Sequence, residues 1–161
     1  MPKNKPRRIF AIPHFHFDLE WWKPEDGYAR DVDAIVARAL NLLRDTPEFT
    51  YTLDQALAVL PFWNNNPERR EELRRYVAEG RVELAGGTYC APDENIPTGE
   101  ALIRQFEHGL PFFEGCIGGR VTTGWEIDEF GHPAQMPQIL AKCGMNQFVF
   151  ARGVQDRKSV V

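Results

Sequence analysis

Three side chains able to bind a divalent ion stand at alternate positions near the start of the chain: His14, His16 and Asp18, interleaved with Phe15 and Phe17. On an extended backbone successive side chains point to opposite sides. The two imidazoles and the carboxylate therefore share one face, and the phenylalanines turn toward covering helices. Imidazole nitrogen and carboxylate oxygen suit Zn²⁺ or a similar cation. The same spacing also serves a hydrogen-bonded pair of strand-end histidines without metal. Trp21 and Trp22 follow within one turn. An indole face beside a polar site can stack on a sugar ring, and burial in the core is the alternative for at least one of them. Glu20 and Glu25 read as solvated acids.

A second group runs from Trp125 to His132 (Trp-Glu-Ile-Asp-Glu-Phe-Gly-His). Glu126 and Asp128 are expected on one face of a strand that breaks at Gly131. A carboxylate at a strand end can be a metal ligand, a nucleophile or a general base. Taken alone, the segment also fits a helix-capping aspartate and loop acids in water. His132 is suited to orient such a carboxylate. Pro92-Asp93-Glu94-Asn95 forms another polar loop on the same expected edge. His108 reads as a surface or structural residue and Cys90 as passive. Gly115 to Gly119 is glycine-rich but lacks the lysine of a phosphate-binding loop.

The elements that must position these residues alternate along the chain. Short β-prone runs are expected at Arg8 to Pro13, Phe49 to Thr52, Arg81 to Ala85, Val121 to Asp128 and Gln147 to Ala151. Helices are predicted between them. Val32, Ile35, Val36, Ala39, Leu42 and Leu43 make a helical stripe over Arg30 to Arg44, stopped by Pro47. Asp54 to Trp63 reads as a short helix. Asn66 and Pro67 look like the N-cap and first residue of a helix over Glu68 to Glu79, which Gly80 ends. Thr98 can cap a helix reaching about Phe113, and Pro133 to Lys142 forms the last, ending at Gly144. Strands separated by helical crossovers pair in parallel, so the fold class is α/β, an open sheet or a barrel.

The 161 residues contain 43% hydrophobic and 26% charged side chains, enough apolar matter for one domain with a real core. A net charge of −4 argues against a nucleic-acid partner. No run of 18 apolar residues suggests a membrane partner, and the N-terminus lacks a secretory apolar region. Three cysteines without metal-finger spacing read as reduced thiols, pointing to a cytoplasmic protein.

In combination these motifs are specific. The chain resembles the N-terminal catalytic domain of glycoside hydrolase family 38, the retaining α-mannosidases. The family pattern His-x-His-x-Asp-x-x-Trp stands here at His14 to Trp21, and Trp-x-x-Asp-x-Phe-Gly-His at Trp125 to His132. Between them, Gly86-Gly87 and Pro92-Asp93-Glu94 are similar to a family loop. Met136-Pro137-Gln138-Ile139-Leu140 with Gly144-Met145 is similar to a family helix. The resemblance implies a seven-stranded parallel β/α barrel and a zinc cofactor with four protein ligands. Three ligands map to His16, Asp18 and Asp128. It also implies that Asp128 is the catalytic nucleophile, forming a covalent glycosyl intermediate. Trp21 stacks on the sugar, Arg152 lies near the nucleophile, and His14 is a neighbour of the metal but not a ligand. The implied partner is a carbohydrate, an α-mannoside.

The family's general acid and its fourth ligand, a histidine, have no counterpart among these residues. Residues 1–161 are therefore expected to be the first part of the catalytic barrel, with the C-terminal part of that domain absent. An unpaired strand edge, with Phe148 and Phe150 partly exposed, then favours association into oligomers. Two other readings compete. One is a metal hydrolase of amidohydrolase or phosphoesterase type, with both His14 and His16 on the metal. The other is a non-catalytic fragment binding metal or sugar weakly.

Overall fold

Pro24 sets an extended backbone ahead of α1 (Glu25–Asp45), whose first turn is acidic and whose last turn carries Arg44, both favourable to the helix dipole. Tyr28, Val32, Val36, Ala39, Leu40 and Leu43 are buried along one side of it. The helix thus starts five residues before the expected Arg30, because Tyr28 continues the stripe by one more turn. The computed structural model describes residues 8–18 and 21–153.

The remaining elements are β1 (Tyr51–Gln55), α2 (Leu60–Asn65), α3 (Arg70–Ala78), β2 (Val82–Thr88), α4 (Gly99–Leu110), β3 (Thr123–Glu126), α5 (Met136–Lys142) and β4 (Gln147–Phe150). Thr98 caps α4 as predicted, its Oγ1 accepting the Ala101 N–H at 3.2 Å. The expected helix continues beyond Phe113 as one π-helical stretch, Pro111–Ile117. Asn66 does not cap α3. Its amide instead donates to Asp33 at 2.7 Å and to the Phe62 carbonyl at 3.0 Å, tying the end of α2 to α1.

Strand pairing is parallel, as the crossovers require. β1 pairs with β2 (Leu53 opposite Leu84) and β3 with β4 (Trp125 opposite Val149). β2 lies against β3, but the hydrogen-bond ladder does not cross between them. The expected first strand does not form: Arg8 to Pro13 enters no ladder, and a single bond from the Thr52 N–H to the Pro13 carbonyl, 2.9 Å, joins it to β1. Proline has no N–H to return to a ladder. Among the described residues, four strands therefore stand where five were predicted, in two parallel pairs. Phe148 and Phe150 are half-buried. None of the helices among the described residues is long and apolar enough to cross a membrane.

Phe62, Leu73, Leu53, Leu84, Phe106, Phe113, Val121 and Met136 share one core with the buried stripe of α1. β1 and β2 carry two irregularities near their polar end. The register shifts between Leu53 and Gln55, and opposite the shift Gly86 adopts φ +68°. A Cβ there would lie 2.0 Å from the Asp54 carbonyl oxygen. Asp54 itself is only 7% exposed, and its Oδ1 has no hydrogen-bond partner. Burial pushes its pKa up to about 7.

Two outcomes follow from this geometry. Gly86→Ala combines a left-handed backbone with a direct clash and should destabilise the fold by at least about 2 kcal/mol. Gly80→Ala has a similar φ, +69°, with open space around it. It should cost only about 1 kcal/mol in the same denaturant titration. Asp54 binds its proton more tightly folded than unfolded. Stability should therefore fall as pH rises from about 4 to 7 and level off above that, with a ceiling on the order of 4 kcal/mol. Asp54→Asn should remove this slope. Equal slopes for parent and variant in metal-free buffer would refute the assignment.

Candidate functional site

Asp93, Glu94, Asp128, His132 and Arg152 lie in the loops that follow β2, β3 and β4, at the C-terminal ends of parallel strands where α/β sheets gather their sites, whereas Glu25 opens α1 and His108 lies within α4. Segment 14–18 continues past the Pro13 contact with β1. The turn after β2 brings Asp93 and Glu94, that after β3 brings Asp128 to His132, and Arg152 follows β4. Phe15 stacks on Tyr51 and Phe17 meets Tyr28 of α1 edge-on, so the phenylalanines do face inward. His16 and Asp18 consequently turn to the open side.

The Nε2 atom of His16 lies 3.1 Å from Asp18 Oδ1 and 3.4 Å from Asp128 Oδ2. One donor atom from each of the three residues falls within 4.8 Å of the others. An imidazole nitrogen with two carboxylates at that separation is a donor set that fits Zn²⁺. Asp128 uses its other oxygen, Oδ1, in an ion pair with the Arg152 guanidinium. That guanidinium sits over the Phe130 ring, 4.2 Å from the centroid.

His14 is outside the group. Its ring meets Trp125 edge-on at 5.1 Å, its Nδ1 is buried without a partner, and burial lowers its pKa. The arrangement with both histidines on one metal is not formed among the described residues. Trp21 is 66% exposed at the rim. It lines both a cavity of about 680 Å³, with Tyr89, Cys90 and Asp93, and a smaller one of about 270 Å³, with Asp128 and Arg152. Trp22 is exposed, and so is Glu25; Glu20 lies outside the described residues.

Glu126 departs from expectation. β3 ends at this residue, so the alternation that would have put it beside Asp128 stops there. Glu126 is 1% exposed, and Asp128 is half-exposed in the bend that follows. Burial, with Glu129, Glu94 and Asp54 adding like charge, pushes the Glu126 carboxyl well above the usual range. Burial thus favours its neutral form. Cys90 and Cys143 are likewise raised by burial, consistent with passive thiols. His108 meets Tyr89 edge-on at 6.4 Å, a packing contact.

Sequence reasoning did not single out Phe130 as the ring beneath Arg152. Nor did it find that His132 bonds Glu94, 38 positions earlier. The Phe-Gly-His run following Asp128 was the available signal for both.

The chain is 34% identical over 143 residues to alpha-mannosidase G of Dictyostelium discoideum, covering 88% of this chain and 13% of that protein. It is 33% identical over 141 residues to alpha-mannosidase 2C1 of Homo sapiens, covering 88% and 14%. The chain therefore spans about one seventh of the length of these relatives. The crystal structure of an alpha-mannosidase from Enterococcus faecalis V583 superimposes with a TM-score of 0.80 at 26% identity, over 90% of this chain and 16% of that one. Residues 6–160 match the family described as glycosyl hydrolases family 38 N-terminal domain. With so little of the sequence outside that match, the chain belongs to glycosyl hydrolase family 38 and forms part of its N-terminal domain.

Proposed function

We propose that this chain carries the nucleophile and three metal ligands of a zinc-dependent, retaining α-mannosidase, and supplies the opening strands of its seven-stranded β/α barrel. The observation that carries the reading is the meeting of His16, Asp18 and Asp128 from two strand ends, with Arg152 fixing Asp128 from the far side. Membership of family 38 and the alpha-mannosidase relatives support it. Three free cysteines fit a cytoplasmic setting.

His16, Asp18 and Asp128 would hold the metal, which when bound supplies Lewis-acid contacts to sugar hydroxyls and helps to distort the ring. Asp128 attacks the anomeric carbon, forming a new bond from its carboxylate oxygen. The glycosidic C–O bond breaks, and its electron pair leaves with the aglycone oxygen, which takes a proton from a second carboxylic acid. Water then releases the sugar from Asp128. None of the described residues is assigned the acid's part. Arg152 holds one Asp128 oxygen and leaves the other toward His16. Trp21 offers an indole face at the rim, suited to the apolar C–H face of a pyranose.

Two experiments test the reading. His16→Ala and Asp18→Ala should each weaken zinc binding by more than about 100-fold in a chelator competition, beyond the ~10–100-fold typical of losing an outer partner. His14→Ala should cost less than about 10-fold. An equal loss for His14→Ala would favour the amidohydrolase arrangement instead. In a p-nitrophenyl α-mannoside assay of the active enzyme, Asp128→Ala should lower turnover by about 10⁴-fold or more. A fluorinated mannosyl reagent should label Asp128, and labelling of Glu126 or Glu129 would reassign the nucleophile.

A further inference from the structure

Three loops that follow different strands are stitched together beside Asp128. In the loop after β2, the Glu94 side chain is fully buried, and its Oε2 lies 3.0 Å from His132 Nδ1. The opposite nitrogen of that ring, Nε2, lies 3.0 Å from the backbone carbonyl oxygen of Arg152. A carbonyl can only accept, so Nε2 carries a proton and donates it. Phe148 and Phe150 of β4 pack against the ring, with centroids 5.3 and 5.1 Å away. The imidazole is thus fixed through both nitrogens and walled by β4.

The backbones close in around it. Gly153 has φ +84°, and a Cβ there would fall 2.8 Å from the Gly131 Cα and 3.3 Å from the His132 ring. A Cβ on Gly131 would fall 2.3 Å from the Asn95 amide. The positive φ and backbone contact at Gly153 require a glycine there for the loops to meet this closely.

We propose that Glu94 and His132 are positioning residues that set the Arg152 guanidinium against Asp128. Glu94 orients the imidazole, the imidazole holds the Arg152 main chain, and the Arg152 side chain, lying over Phe130, takes Asp128 Oδ1. That leaves Oδ2 facing His16, 3.4 Å away. A purely space-filling role would not need a buried acid, whose desolvation here is offset only through the Oε2 contact with His132, Oε1 having no partner. The proposal deepens the reading of Asp128 as nucleophile and rests on it for its catalytic meaning. The Arg152–Asp128 pair itself can be read without any turnover.

The test follows the Arg152 Nε–Hε resonance in the isotopically labelled 161-residue chain, assigned with Arg152→Lys. Asp128→Asn defines the signal of the unpaired guanidinium. His132→Gln reproduces the Nε2 donor to the Arg152 carbonyl and should keep the parent signal. His132→Asn reproduces only the Nδ1 side and should move the signal to the Asp128→Asn position. Glu94→Ala should move it likewise and Glu94→Gln should restore it, and this pair decides the matter where the His132 variants do not fold. Identical behaviour of the Gln and Asn variants at 132, or a parent-like signal in Glu94→Ala, would overturn the proposal. Labelling at Asp128 tests the nucleophile separately, so the two failures are distinguishable.

Discussion

Parallel pairing forces the chain to re-enter each strand from the same end, and every connection must therefore travel back across the outside of the sheet. α2 and α3 carry the chain from β1 to β2, and α5 carries it from β3 to β4. The repeated direction is what brings residues 16, 54, 94, 128 and 152, distant in sequence, to one edge. Packing of α1, α3, α4 and α5 against the strands supplies the apolar burial that holds the edge in place. Chemistry at that edge is thus a by-product of strand direction, and the particular loops decide what kind.

The edge is layered electrostatically. Asp18 and Asp128 lie toward solvent and face cationic or donor groups, His16 and Arg152. Beneath them Asp54 and Glu126 are buried and shifted toward their neutral forms. Burial also raises Glu94, while His132 pulls it back. Burial that favours the neutral form of the deeper acids limits the like-charge repulsion among Asp18, Asp54, Glu94, Glu126 and Asp128.

The alternation His14, His16, Asp18 was readable because local geometry alone fixes which side chains share a face, and Phe15 and Phe17 confirm the same frame by packing inward. Asp128 was readable as a strand-end acid, but its relation to Glu126 was not. Alternation holds only while the strand lasts, and β3 stops two residues before Asp128. The Arg30 to Arg44 stripe identified α1 but not its first turn, since a tyrosine beside a glycine carries a weak apolar signal. Asn66 reads as a cap from its place before Pro67, yet its amide has better partners on α1. The Glu94–His132 contact joins positions separated by α4, the π-helical stretch, β3 and the loops between them, and no periodicity encodes such a distance. For the same reason the ladder gap between β2 and β3 could not be anticipated from two strands that each look ordinary.

The single hydrogen bond between Pro13 and Thr52 has a thermodynamic corollary. Segment 8–18 bears His16 and Asp18, while Asp128 belongs to the packed body of the fold. Ile9 and Phe10, 93% and 82% exposed, add almost no burial, so the segment is held by Phe15 on Tyr51, Phe17 against Tyr28 and His14 against Trp125. On the proposed reading, a cation that bridges the arm's two donors to Asp128 also fastens the arm to the body of the fold, so ion binding and docking of the arm are coupled. Additional partners along the free edge of the arm would tighten ion binding without touching the ion at all.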